Sequence, residues 1–267
     1  MRLSSVLLCV VVVWGVTQLH DVVYIVCDSF SAIFRFNATT HERLTDIQVK
    51  GLRQPRDIVA CEQTSQLYVA MWSANSAVIW RVSVGLDAAD IKRWMAKFAF
   101  KQTSLSLTST CLLMTSFNTK QLILFDVNGH QLRLTKLLQL PDDMKPWHAV
   151  ESPTTTFIVS HNNTKLNQFH ISEVNTYGQV LRQFTGSRLL PLGQTPHIAI
   201  DSHGNVFVAD SDNRRIWLLD AELTLRRVIV DERQLKDKRP SRLCYSESTG
   251  LLVGFDDSVA VFDVLCR

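Results

Sequence analysis

Apolar and polar residues alternate along most of the chain in short runs separated by polar turns, which is typical of β-strands. The clearest stretch is residues 195–219, which read TPHIAIDSHGNVFVADSDNRRIWLL and contain alternating segments at His197–Asp201, Val206–Asp210 and Arg215–Asp220. A fourth segment follows at Thr224–Val230. The short turns between these segments predict a four-stranded antiparallel meander.

The same unit recurs along the sequence. Units begin near Pro55, Pro146, Pro196 and Pro240, and the last two intervals are 50 and 44 residues long. Two further units fill residues 21–49 and 104–132, which makes six. Six such units predict an all-β, six-bladed β-propeller of four-stranded antiparallel blades, because closing a ring is the usual way to protect the free edges of each unit. Inner strands are expected near residues 56–60, 103–107, 147–151, 197–201 and 241–245.

One short stretch fits this pattern poorly. Leu86–Lys97 has the only helical periodicity of useful length, although an excursion between strands explains it equally well.

The first 20 residues combine a cation with an apolar run. Arg2 precedes Val6–Val16, and Gly15 and Thr17 supply small side chains before Gln18. This pattern predicts a signal peptide at residues 1–17 and a single propeller domain at 18–267. At 11 residues the run is too short to span a bilayer, which needs about 20.

Two alternatives for this run are a retained strand of the first blade and an uncleaved anchor. The repeat spacing leaves the chain one or two strands short of six complete blades. The first and last blades are therefore expected to be incomplete unless the valine-rich run joins the sheet.

The unit at 195–220 resembles the NHL repeat, in which a Pro and a short strand precede G-x-h-h-V-A-D, polar residues and R-I. The matching positions are Pro196, Gly204, Val206–Asp210, Asn213, Arg214 or Arg215, and Ile216. The resemblance covers about residues 21–267, and it is weaker in units 55–84, 104–132 and 240–265. It implies a six-bladed propeller like that of the tripartite-motif NHL proteins, and it carries no catalytic signature.

Composition narrows the class of partner. The chain has 28 Lys and Arg residues against 25 Asp and Glu, and a net charge of +3 is too small to indicate nucleic acid by itself. The six cysteines include no C-x-x-C pair, so no RING or B-box is present in this sequence. If the chain is exported, the sequons at Asn37 and Asn162 are candidate glycosylation sites.

Two histidines are the weak candidates for metal chemistry. His148 and His197 follow Pro146 and Pro196, at the entrance of predicted inner strands that line the central channel. Propeller lyases that act on amidated peptide precursors resemble this fold and use channel histidines to bind zinc. The equivalent places in other units hold Arg56-Asp57 and Ser241-Arg242, so a third histidine is missing. The sequence therefore predicts no metal, no cofactor and no catalytic residue.

A basic segment is the candidate for partner binding. Residues 226–242 contain seven Lys or Arg and three Asp or Glu. Together with the end of the fifth unit they predict a basic rim formed by Arg214, Arg215, Lys236, Lys238, Arg239 and Arg242. Trp217 is the only aromatic residue near this segment, which makes RNA binding a weak interpretation.

These observations leave three hypotheses for function. The first is a monomeric, secreted or cell-surface recognition propeller that binds a protein or a glycan without catalysis. The second is a cytoplasmic NHL-type module that selects substrates for ubiquitin ligation or binds RNA. The third is a channel-metal lyase or lactonase-like enzyme.

Overall fold

The computed structural model describes residues 2–8, 12–73, 76–85, 90–98, 103–137, 140, 144–163, 165, 168–186, 192–193, 197–235 and 237–263. The chain forms six antiparallel sheets of four strands each. The prediction of a six-bladed, all-β propeller is confirmed.

Blades one to three take most of the first half of the chain. Blade one contains β2 (Val13–Leu19), β3 (Val22–Cys27), β4 (Ala32–Asn37) and β5 (Arg43–Gln48). Blade two contains β6 (Pro55–Cys61), β7 (Gln66–Ser73), β8 (Ser76–Ser83) and β9 (Asp90–Phe98), with a 3-10 turn at Glu62–Thr64. Blade three contains β10 (Thr103–Leu107), β11 (Leu112–Ser116), β12 (Gln121–Phe125) and β13 (Gln131–Lys136).

Blades four and five follow in the same manner. Blade four contains β14 (Met144–Glu151), β15 (Phe157–Asn163), β16 (Gln168–Val174) and β17 (Val180–Phe184). Blade five contains β18 (His197–Ile200), β19 (Val206–Asp210), β20 (Arg215–Leu219) and β21 (Leu225–Val230). The short helix α1 (Glu232–Leu235) leads from blade five to blade six. All five predicted inner strands are observed.

Blade six is assembled from both ends of the chain. It contains β22 (Arg242–Ser246), β23 (Gly250–Gly254) and β24 (Ser258–Asp263), and its outer strand is β1 (Arg2–Leu8). The valine-rich N-terminal run therefore supplies strands to two blades, β1 to blade six and β2 to blade one. This run joins the sheets, which is the condition under which the first and last blades were expected to be complete, and each of these two sheets has four strands.

The stretch Leu86–Lys97 contains a strand. From Asp90 onward it is β9, the outer strand of blade two, while residues 86–89 lie outside the described residues. Tertiary pairing with β8 overrides the local helical periodicity.

The apolar core lies between the blades. Six clusters of buried residues each join two neighbouring blades around the ring. The cluster between blades six and one includes Leu7, Val13 and Val16, all from the N-terminal run. Gly15 allows close packing against blade two, since a Cβ there would lie 2.7 Å from the backbone nitrogen of Ile58. Among the described residues, no helix is long and apolar enough to cross a membrane.

Candidate functional site

The inner strands carry a group of buried polar side chains at the centre of the ring. The group comprises Asp57 on β6, His148 on β14, His197 on β18 and Arg242 on β22, and we call it the axial cluster. One ligand-type atom from each of Asp57, His148 and His197 lies within 4.8 Å of the others. All three side chains are buried, and among the described residues they form a group that could hold a metal ion.

The two axial histidines stack on each other. Their ring centroids are 3.8 Å apart and the ring planes are inclined by 21°. His148 Nε2 lies 3.3 Å from the carbonyl oxygen of Leu105, which can only accept, so Nε2 carries the proton of the neutral ring. His197 Nδ1 accepts the backbone N–H of Leu243 at 3.2 Å, which places the proton of that ring on Nε2. Backbone contacts with neighbouring blades thus select the tautomer of each ring.

Burial keeps both rings neutral. Burial lowers the pKa of His148 to about 3. The charge of Arg242 also lowers this pKa, whereas the hydrogen bond to the backbone of Leu105 raises it. The pKa of His197 lies well below its usual range because of burial, the neighbouring His148 and Arg242. At neutral pH neither histidine carries a charge.

Asp57 and Arg242 supply the charges of the cluster. Asp57 accepts the backbone N–H of Ile58 at 3.0 Å on Oδ1 and that of Leu105 at 2.8 Å on Oδ2. Burial raises its pKa to about 6, while Arg242 and the two backbone hydrogen bonds act in the opposite direction. The carboxylate therefore joins blade two to blade three.

Arg242 connects blade six to blade one. Its Nε donates to the carbonyl oxygen of Trp14 at 2.6 Å, and its guanidinium lies 5.3 Å from the centre of the Trp14 ring. Arg56 covers the same ring at 4.1 Å. Two guanidinium groups next to one tryptophan ring make this side of the axis rich in cations.

The donor set fits a metal ion poorly. A ligating imidazole needs a free nitrogen lone pair and usually donates its other N–H to an acceptor. His197 has the opposite arrangement, because Nδ1 already accepts a backbone N–H and Nε2 carries the proton. The near-parallel stack also keeps the lone pairs of the two rings from converging on one point. Together with the nearby charge of Arg242, these features leave His148 Nδ1 and Asp57 as the available ligands, fewer than a structural zinc site requires.

The residues predicted to form a basic rim do not gather at one surface. Arg242 lies at the axis, and Arg215 is internal to blade five, where its Nε bonds to Asp210 at 2.8 Å. Arg214 pairs with Asp237 at 3.3 Å and Lys238 pairs with Asp257 at 2.9 Å. Arg239 is exposed, and Lys236 lies outside the described residues.

Asp210 is the centre of a second buried network. It accepts hydrogen bonds from the backbone of Gly193, the Asn213 amide, Arg215 and the Trp217 indole. Trp217 is fully buried, so it offers no stacking surface to a nucleic acid. The polar residues of this repeat are therefore used to hold blade five together.

The two sequons differ in position. Asn37 is the last residue of β4, and its Oδ1 accepts the backbone N–H groups of Thr39 and Thr40 in a surface turn. Asn162 lies within β15, which pairs with a strand on each side.

Exposed apolar side chains occur on the outer strands of blades three and four. Leu132 and Leu134 lie on β13, Leu181 lies on β17, and Tyr177, in the preceding turn, is 80% exposed. We call these four residues the apolar perimeter. The two blades touch through the hydrogen bond that Thr135 Oγ1 donates to the carbonyl oxygen of Thr176 at 3.0 Å, on the face of β13 opposite to Leu134. No motif in the sequence indicates this surface.

The sequence analysis did not single out Asp57 and Arg242 as partners of the two histidines. A signal was present, since Asp57, His148 and Arg242 each stand two residues after the proline of their unit and His197 stands one residue after it. Equivalent positions of a propeller repeat meet at the axis.

Comparison with known proteins shows the fold and no more. No protein-family model matches the sequence, and no curated protein does. The PQQ-bound form of aldose sugar dehydrogenase from Streptomyces coelicolor is similar in structure, with a TM-score of 0.70 and 12% identity over 97% of this chain and 96% of that one. Virginiamycin B lyase from Staphylococcus aureus has a TM-score of 0.64 and 11% identity over 94% of each chain. A chain of a nidogen/laminin complex has a TM-score of 0.60 and 15% identity over 84% of this chain and 82% of that one.

Proposed function

We propose that this propeller is a non-catalytic recognition module of the NHL-repeat type that binds a protein partner through its outer surface. The observation that carries the proposal is the use of the axial cluster. Asp57, His148, His197 and Arg242 each bond to the backbone of a neighbouring blade. Groups held in this way stabilise the ring, and the surface remains for binding.

The apolar perimeter supports a protein partner. Its four side chains expose apolar area on the outer strand of blade three and on the outer hairpin of blade four. Arg133, which is exposed between Leu132 and Leu134, adds a basic group. Tyr177 is the one aromatic side chain of the set, which favours a protein with apolar and acidic groups over a glycan.

The basic link between blades five and six is a less favoured binding surface. Arg214 and Lys238 have aspartate partners, so two of the cations of this link are already paired. Exposed ion pairs of this kind contribute roughly 0–1 kcal/mol and are screened by salt. RNA binding and ubiquitin-ligase substrate selection through this link have no further support from the described residues.

Photo-crosslinking tests the location. A benzoylphenylalanine at Tyr177 should give one discrete crosslinked protein in cells that express the full chain. The same group at Phe30, an exposed aromatic position next to blade one, is the matched control. Leu181→Ser should reduce the crosslink at position 177 without lowering the melting temperature much. A discrete product at Arg239 but not at Tyr177 would place binding on the basic link and overturn the proposal.

The compartment follows from the fate of the N-terminal run. We propose that residues 2–19 stay in the ring, because Leu7, Val13 and Val16 are core residues and Trp14 receives the Arg242 hydrogen bond. The described cysteines Cys61, Cys111 and Cys244 form no disulfide, which also supports the cytoplasmic alternative over secretion. N-terminal sequencing of the mature protein should recover residues before Gln18. A chain that begins at Gln18 and carries a glycan at Asn37 would support secretion instead.

A further inference from the structure

The outer strands of the six blades differ in how their free edges are protected. An outer strand has unpaired backbone groups along one edge, and charged side chains are a common device against pairing with another chain. Five of the six outer strands carry such charges: Asp46 in β5, Lys92 and Arg93 in β9, Arg133 in β13, Arg182 in β17, and Arg226 and Arg227 in β21. The sixth, β1, reads RLSSVLL and has a charge only at its first position.

The two side chains of β1 that the structure describes as exposed are apolar and lie on one face. Leu3 is 50% exposed and Val6 is 44% exposed. Leu3 pairs with Phe262 and Val6 pairs with Ala260, because a bulge between Leu3 and Ser5 shifts the register by one residue. Since Phe262 and Ala260 are two residues apart in β24, their β1 partners point to the same side of the sheet. Without the bulge, Leu3 and Val6 would point to opposite sides.

We propose that β1 is a homodimer interface, in which it pairs edge to edge and antiparallel with β1 of a second copy of this chain. A two-fold axis between Ser4 and Ser5 places Leu3 of each copy opposite Val6 of the other. The bulge then brings all four side chains to one face of a continuous eight-stranded sheet, as an isologous interface requires. This proposal goes beyond the recognition function and replaces the expectation of a monomer.

Self-pairing is favoured over another occupant by the strand's own sequence. In this register the apolar Leu3 of each copy faces the apolar Val6 of the other. Arg2 of one copy lies opposite Leu7 of the other, so no two like charges face each other. The other five outer edges present charged residues to any incoming strand, so β1 is the edge that a copy of β1 matches best.

The test uses the full chain and analytical ultracentrifugation over a range of protein concentrations. The wild-type chain should form a dimer, and Val6→Lys should raise the dissociation constant at least ~10-fold. Leu134→Lys is the matched control, because Leu134 is an exposed apolar residue on the outer strand of blade three and should leave the dimer intact. If Val6→Lys does not fold, Leu3→Lys serves the same purpose. A wild-type monomer at all concentrations, or equal dissociation by Leu134→Lys, would overturn the proposal.

Disulfide trapping tests the register. A mixture of Leu3→Cys and Val6→Cys chains should crosslink between the two variants more than either variant does alone. Exchange of β1 between copies is a different arrangement, in which a Val6→Cys chain would crosslink to an Ala260→Cys chain, since these residues pair in one sheet. Crosslinking in that second mixture and not in the first would replace edge pairing by strand exchange.

Discussion

Blade five and the junction between blades six and one are stabilised by different means. Blade five is continuous in sequence, and its turns converge on Asp210, which bonds to four neighbouring residues. The junction joins residues from opposite ends of the chain, through the β1–β24 pairing, the cluster around Leu7 and Val13, and the Arg242 bond to Trp14. Local contacts hold the blade, whereas contacts of very large sequence separation hold the junction.

Blade five and the junction of blades six and one should form at different stages of folding. Contacts between residues close in sequence cost little chain entropy, whereas joining residues 2 and 263 requires most of the chain to be ordered. We therefore expect the junction to form last and to be the more sensitive of the two to loss of a single element.

Removal of residues 1–17 should have the largest effect. It deletes β1 and most of β2, exposes the edge of β24 and removes three core residues of the junction. We expect loss of cooperative thermal unfolding, followed by circular dichroism. The point variant Leu132→Ser, at an exposed position of the outer strand of blade three, is the control and should unfold like the wild type. A truncated chain with a wild-type transition would show that the junction does not need its N-terminal strands.

Asp210→Ala should be the next most damaging change. It leaves Arg215, the Trp217 indole and the Asn213 amide without their buried acceptor, at a cost of about 4 kcal/mol in the free energy of unfolding. Asp210→Asn keeps one acceptor oxygen and should cost less. Urea denaturation measures both variants. Equal stability of the alanine variant and the wild type would contradict the central place of Asp210 in blade five.

Arg242→Met tests the junction with a single side chain. It removes the bond to Trp14 and leaves the buried carboxylate of Asp57 without a nearby cation, which should cost about 3 kcal/mol. Adding Asp57→Asn should recover part of the loss, because the unpaired charge is removed as well. If the double variant is less stable than Arg242→Met alone, the two groups are not coupled through their charges.

Acid should weaken the fold gradually. His148 and His197 have folded-state pKa values below the unfolded value, so the unfolded chain binds more protons and their contribution is lost as pH falls below about 6.5. The raised pKa of Asp57 acts in the opposite direction between about pH 4 and 6.

Because two histidines oppose one carboxyl group, the free energy of unfolding should decrease on acidification. His148→Gln should flatten this dependence, because it removes one of the two rings that are buried in the neutral form. A stability that rises from pH 7 to pH 5 would contradict the assignment of neutral axial rings.

The sequence predicted blade five best because its signals are local. Gly204 adopts a positive φ of 85° in the turn before β19, and the strands flank it in the expected order. The division of the valine-rich run between two blades was not predictable in the same way. Val6 and Val13 belong to similar apolar segments. The partner of Val6 lies in β24, far away in sequence, whereas the partner of Val13 lies in the neighbouring strand β3.

Features of the candidate site that depend on contacts between distant residues were also not predictable from the sequence. Arg214 and Arg215 are adjacent and equally basic in sequence, yet Arg215 is internal and Arg214 lies at the surface. Arg214 lies in the turn before β20 with a positive φ of 48°, whereas Arg215 is the first residue of that strand, and this boundary depends on the fold of the whole blade. His148 and His197 were predicted to lie at the channel, but their stacking and tautomers depend on the backbone of other blades.

The pairing of β1 with β24 also has a mechanical consequence. The strands are antiparallel, and Arg2 lies opposite Asp263, so residues near both ends of the described chain meet at the same end of the ladder. A force that pulls these two residues apart loads the hydrogen bonds one at a time, from the Arg2–Asp263 pair toward Leu8 and Ser258. Strands loaded in this way unzip at lower force than strands sheared along their length. Under tension the ring should therefore open at the junction of blades six and one before any single blade unfolds.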